Sequence, residues 1–256
     1  MATIAERPFA PGNEERFFLR AAIVMALIIV AGFSLDLALG RSSFHAPPLL
    51  HAHAITFMGW MVIYLLQNFL VAGGRVDLHR RLGWIAAVWI VAMVILGTAV
   101  TVAMVRRGEV PFFFTPLQFL VFDPITVLTF AGLTYAGVAL RRRTDWHRRL
   151  NYCGMSLLLG PALGRILPMP LLAPWAYEIL FAVILIFPAV GWWSDVRRTG
   201  HGHPAWRWGI ITIIGSVLLT DAITYSPVGG AIYNAVTAGS PGASVAPLAF
   251  APPPAG

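Results

Sequence analysis

Seven apolar segments, each long enough to cross a bilayer, occupy most of this 256-residue chain. Hydrocarbon offers no partner to a backbone N–H or C=O, so such segments must satisfy their hydrogen bonds internally. At roughly 20 residues apiece they read as helices. The spans are predicted at 18–40, 50–72, 82–105, 113–140, 149–167, 175–195 and 206–226. The expected fold class is therefore all-α, a polytopic membrane bundle of seven transmembrane helices. Residues 1–17 form an N-terminal tail, 18–226 the membrane domain, and 227–256 a largely disordered C-terminal tail rich in Ala, Gly, Pro and Ser. The first segment is a full span with no small-x-small cleavage site after it, so it reads as a retained helix rather than a signal peptide. The fifth span carries Asn151, Pro161 and Arg165. Its Gly160-Pro161-Ala162-Leu163-Gly164 stretch is a small-xxx-small pattern that favours close helix contact, with a kink at the proline.

The chain has no lysine, so all eighteen cationic side chains are arginines. That excludes a retinal Schiff base and any lysine nucleophile. A pI near 10.5 would suggest nucleic acid in a soluble protein. Here the arginines sit between apolar spans, where they mark the cytoplasmic face of a membrane protein. The N-terminal region (Arg7, Arg16, Arg20) and the second, fourth and sixth loops with their flanks hold fourteen arginines. The opposite side holds four: Arg41, Arg106, Arg107 and Arg165. The N-terminus is therefore expected in the cytoplasm and the C-terminus outside, in a multi-pass protein of a bacterial inner membrane. The single cysteine, Cys153, lies within a span and excludes both a disulfide framework and a cysteine-based metal motif.

This topology sets several ionisable residues at one depth. Asp36, His51, His53, Asp123, Arg165, Glu178 and Asp221 all fall in the outer parts of spans, where each would be costly against lipid. They are the expected lining of an outward-facing polar cavity, the alternative being that each merely reaches interfacial water. His53, Trp60 and Gln67 recur every seven residues and share one helix face, whereas His51 points elsewhere. Thr212, Ser216, Thr220 and Thr224 make a small polar stripe on the last span, suited to helix packing.

Two spans open with nearly the same words: Asp77-Leu78-His79-Arg80-Arg81-Leu82 and Asp145-Trp146-His147-Arg148-Arg149-Leu150. Asp can cap the helix, the arginines can reach headgroups, and Leu begins the apolar face. This explains every residue except His. Neutral imidazole ligates haem iron or a metal, so His79 and His147 are candidate axial ligands of one b-type haem near the inner leaflet. The plainer reading is an anchoring motif with interfacial histidines and no cofactor. His201 and His203 stand in Gly-His-Gly-His-Pro, a loop in which solvated histidines are the default.

His-Arg-Arg-Leu-Gly at 79–83 and His-Arg-Arg-Leu at 147–150 resemble helix starts in a broad group of uncharacterised bacterial multispan proteins and in membrane b-type cytochromes. His51-Ala52-His53 with Gly59-Trp60 resembles a helix of proteins related to the haem–copper oxidase catalytic subunit, where a histidine near the outer face holds a haem. The first resemblance implies haem at His79 and His147; the second makes His53 a further haem- or quinone-facing residue. The fourth, sixth and seventh spans carry no histidine and the oxidase copper pattern is missing, so the resemblance implies at most one haem.

The leading expectation is thus a haem-binding electron-transfer protein or oxidoreductase of the membrane, with quinone or other membrane subunits as partners and no nucleic acid. A proton- or cation-linked transport or binding protein using the outer cavity is a second reading. A structural subunit of a larger membrane complex is a third. Hydrolase motifs are missing from the sequence.

Overall fold

A computed structural model describes residues 12–42 and 45–251. Most of the expected N-terminal tail, Arg7 included, lies outside them. The described residues are all-helical, without a strand: α1 (Asn13–Ala38), α2 (Pro48–Ala72), α3 (Val76–Arg107), α4 (Pro116–Ala139), α5 (Thr144–Leu157), α6 (Gly160–Ile166), α7 (Met169–Leu172), α8 (Ala176–Thr199), α9 (Pro204–Thr224) and α10 (Pro227–Thr237), then a 3₁₀ turn, Pro241–Ser244. Six of them, α1 to α4, α8 and α9, are long and apolar enough to cross a membrane. This is a helical membrane protein.

The expected fifth span, 149–167, is not one kinked helix. Pro161 lacks an N–H, and its ring would collide with the carbonyl four residues earlier. That carbonyl belongs to Leu157, the last residue of α5. The segment is therefore divided into α5 and α6, joined by Leu158 and Leu159. The close helix contact expected of the Gly160–Gly164 stretch is made with α1, at Ala162 rather than at its glycines. A Cβ on Gly164 would meet open space, whereas one on Gly32 of α1 would lie 2.6 Å from the Ala162 carbonyl oxygen. The small pair that lets α1 and α6 touch is Gly32 with Ala162.

At one end of the bundle, α1, α5, α8 and α9 are joined by buried charges. Arg149 and Asp195 are each only 4% exposed. The guanidinium donates to both carboxylate oxygens, Nε to Oδ2 at 2.7 Å and Nη2 to Oδ1 at 2.9 Å. Trp206 Nε1 and Arg198 Nη2 donate to the same carboxylate, and Arg149 Nη2 also reaches Glu14 at 2.6 Å. Gly191 makes room for the Trp206 indole, which a Cβ there would meet at 2.3 Å. At the far end of α1, Asp36 accepts from Arg165 Nε at 3.1 Å. The α5–α6 segment thus pairs with α1 at positions 22 residues apart, about 33 Å along a helix.

The two copies of the repeated motif therefore differ. Arg80 and Arg81 are exposed, as expected of residues that reach headgroups. Arg149, the counterpart of Arg81, is committed to the interior, and Arg148 pairs with Glu14 and Glu15. The expected N-capping by Asp is also corrected. Arg75 and Arg143 occupy the cap positions without side-chain capping bonds, and Asp77 and Asp145 lie inside the first turns.

The expected disordered tail from 227 is instead folded as far as it is described. Pro227 begins α10, Ser226 caps it, and Gly229, Tyr233 and Thr237 form a buried face at four-residue spacing. The Tyr233 hydroxyl bonds to the carbonyls of Gly242 and Val245, and Pro247 accepts from the Leu117 amide. These bonds hold the segment over the ends of α3 and α4.

Arg149→Ala leaves buried carboxylates short of a partner and is expected to cost about 3–5 kcal/mol. Arg81→Ala, its counterpart in the other copy, should stay within about 0.5 kcal/mol. Thermal unfolding of the purified variants in detergent checks the contrast.

Candidate functional site: a histidine-headed cavity

The C-terminal half of α3 touches the N-terminal half of α4, where a Cβ on Gly97 would meet Val127 at 3.2 Å and Thr101 bonds to Asp123. Toward the other end they separate. The space between them, closed by α1, α2 and α5, is a cavity of about 580 Å³. Its walls are largely apolar, and small residues of α3 (Gly83, Ala86, Ala87) widen it. Its polar lining includes Glu15, Gln67, Asn68, His79, Thr134, Thr144, His147, Arg148 and Asn151. Val91, Ile95 and Tyr135 also line it, yet they are 58%, 61% and 75% exposed, so the cavity opens sideways onto the lipid-facing surface.

His79 and His147, in the first turns of α3 and α5, meet in its lining with ring centres 6.0 Å apart and planes at 87°. His147 Nδ1 lies 2.8 Å from the Gly137 carbonyl oxygen, which can only accept. Asn151 Nδ2 lies 3.3 Å from the same nitrogen; a proton on Nδ1 serves the shorter contact and leaves the Nε2 lone pair free. The approach needs a glycine at 137: a Cβ there would lie 2.6 Å from Asn151 Nδ2. His79 Nδ1 is buried without a hydrogen bond, and the Gln67 backbone lies beside the ring.

Three more residues of the lining carry a buried polar atom without a partner: Trp60 Nε1, Gln67 Oε1 and Thr134 Oγ1. Buried polar atoms are nearly always paired with protein, water or ligand. Gln67 and Trp60 lie on the stripe predicted from seven-residue spacing. Thr134 and Asn151 carried no such mark, since nothing in a span's sequence tells which neighbour it will face.

His53, at the outer end of that stripe, does not line the cavity. It stacks on Phe57 at 4.2 Å, near Arg165. His51 is half-buried. The other residues expected in one outer cavity form local sets: Asp36 with Arg165, Asp123 with Thr101, and Glu178 near Asp221. Among the described residues no ion pair joins these sets, and no cluster of three or more His, Cys, Asp or Glu could hold a metal.

Beside the cavity, His203 fastens α9 to α5. Its Nδ1 accepts from the Ala205 amide, so Nε2 carries the proton and donates to Asp145 at 2.8 Å. Partial burial raises the Asp145 pKa, but the bonds from His203 and the helix amides outweigh it and hold the group below its ordinary 3.8. A depressed carboxyl pKa adds stability above the ordinary value and loses it as pH falls through the depressed one. Asp145→Asn should therefore be less stable than the parent at neutral pH. The difference should close in acid below 3.8, as read from paired unfolding curves.

No family model, characterised protein or solved structure matches the chain.

Proposed function

We propose that the chain is a bacterial inner-membrane electron-transfer protein that holds one b-type haem between His79 and His147. The observation that carries this reading is the pairing of two imidazoles at the head of a large apolar cavity. The spacing here is 6.0 Å. The residues fit the group in three ways. His147 offers Nε2 while Gly137 fixes its ring, the arrangement in which an outer partner orients a ligating imidazole. His79 has an unpartnered ring nitrogen, and Gly83, Ala86 and Ala87 leave room along the α3 wall.

Held by His79 and His147, a haem would supply reversible one-electron chemistry. The chain's own residues hold and orient the ligands, keep the surroundings apolar, and leave a lateral opening at Val91, Ile95 and Tyr135. That opening suits exchange with an electron partner dissolved in the bilayer, such as a quinone, or carried by a neighbouring membrane subunit.

Protein purified from haem-replete cells should show a Soret band and a sharp reduced α-band. His79→Ala and His147→Ala should each change or abolish them. A Cβ at Gly83 meets only Gln67 Nε2, at 3.8 Å. Gly83→Leu should therefore fold yet bind far less haem. Colourless wild-type protein at full haem supply overturns the proposal.

We further propose seven crossings with the N-terminus inside, the broken α5–α6 segment acting as the fifth. Its ion pairs with both ends of α1 support this, since they are separated by about the thickness of the hydrocarbon core, roughly 30 Å. The fourteen-to-four arginine imbalance supports the direction. Reporter fusions should find Gly73 cytoplasmic and Gly108 and the C-terminus external. A cytoplasmic C-terminus would remove the fifth crossing.

A further inference from the structure

The contact between α3 and α4 contains a titratable group that the haem reading does not use. Asp123 lies about two turns into α4 and is half-buried, while Thr101 of α3 is 1% exposed. Thr101 Oγ1 stands within hydrogen-bond distance of two oxygens, the Gly97 carbonyl at 3.0 Å and Asp123 Oδ2. A hydroxyl has one hydrogen to give, and a carbonyl can only accept. An ionised Asp123 could also only accept, so one of the two contacts would be left as oxygen against oxygen. A proton on Asp123 completes the set. Oδ2 then donates to Thr101 Oγ1, and Thr101 donates to Gly97, the bond a threonine makes to the carbonyl four residues earlier in its helix.

No positive charge stands in for that proton. Asp123 has no ion pair among the described residues. The elements packed against α4 are α3, α5, α9 and α10. The α3 cations that follow Thr101 are engaged: Arg106 donates to the Val236 carbonyl, and Arg107 pairs with Glu109. The charges of α5 and its His147 stand by Gly137, about 21 Å further along α4. Tyr152 and Cys153 of α5 turn to Phe187 and Gly209. α9 brings Arg207 at its start and Asp221 near its end, and an acidic neighbour could only favour a neutral Asp123. α10 carries no charge, and its Tyr233 hydroxyl is held by Gly242 and Val245. From α8, Tyr177 meets the preceding residue, Phe122, with Glu178 next to it in the chain. From α2, His53 stacks on Phe57, whose ring meets Gly97. A deprotonated Asp123 would thus keep one neutral hydroxyl against the cost of a charge within a membrane span.

We propose that Asp123 is a proton-binding site: its carboxyl holds a proton at neutral pH, and that proton completes the chain Asp123–Thr101–Gly97 that ties α4 to α3. The site shares no residue with the histidine cavity and stands whether or not haem binds. Since α3 and α4 both contribute walls to that cavity, uptake or loss of the proton acts on the helix pair that bounds it.

The test uses the full chain in detergent, as wild type, Asp123→Asn and Thr101→Val. Infrared spectra of wild type at neutral pH should show the C=O band of a protonated aspartic acid, identified by its shift when the protein is grown on isotope-labelled aspartate. The band should be missing from Asp123→Asn and displaced in Thr101→Val, where the carboxyl loses its acceptor. In unfolding, the folded chain keeps a proton that the unfolded chain releases above the ordinary carboxyl value of about 4, so stability is lost as pH rises. Measured against Asp123→Asn, the wild-type equilibrium should move about tenfold toward the unfolded state per pH unit between about pH 4 and 7. If Asp123→Asn does not fold, labelled wild type and Thr101→Val decide the matter. A wild type without protonated aspartate at neutral pH overturns the proposal. So does such a band that Thr101→Val leaves unmoved, and so does a wild-type pH dependence parallel to that of Asp123→Asn.

Discussion

The buried Arg149–Asp195 pair is the interaction on which the placement of the other groups depends. Taking two charges out of water costs several kcal/mol per ion, and the cost is recovered only where geometry is good and the remaining valences are filled. Both conditions hold. The guanidinium engages the carboxylate through two nitrogens, Trp206 and Arg198 complete the carboxylate, and Glu14 and the Asp145 carbonyl complete the guanidinium. The pair locks α5 against α8, α9 and the start of α1. His147 lies two residues before Arg149, so the same lock sets where its imidazole stands.

From there the cavity follows. α5 closes against α4, with Gly137 taking the His147 ring and the Asn151 amide at short range. The C-terminal half of α3 is held to α4 through Gly97, Val127, Thr101 and Asp123. Its N-terminal half leans on α2, where Trp89 donates to the Thr56 carbonyl at 2.7 Å. The gap that remains is headed by two imidazoles and opens to lipid along α3.

The repeated Asp-x-His-Arg-Arg-Leu shows how far local sequence reaches. Both copies begin helices, and both bring a histidine to the same cavity, as the repetition led one to expect. The arginines part company. Arg81 stays at the surface while Arg149 is buried, because only the second copy faces acidic residues contributed by α1 and α8. The stripe on α2 was legible in the same partial way. Trp60 and Gln67 reach the cavity, but His53, one repeat earlier, stacks on Phe57 beyond its end. Seven-residue spacing defines a face, and the length of the cavity decides which members of that face it includes.

The sequence by itself determined the solvent and the architecture, since long apolar runs can satisfy their backbones in hydrocarbon only as helices. It also marked Pro161 as a point of distortion, since that residue can neither donate a hydrogen bond nor fit over the Leu157 carbonyl, but not that the helix divides there, because Pro124 and Pro188 stay inside unbroken helices. Only the tertiary structure decided that the segment after 227 folds back as α10 and that Arg149 is an internal tie. Each of these depends on which helix lies beside which. That choice is made by burial and charge pairing between segments far apart in the chain, and no local pattern records it.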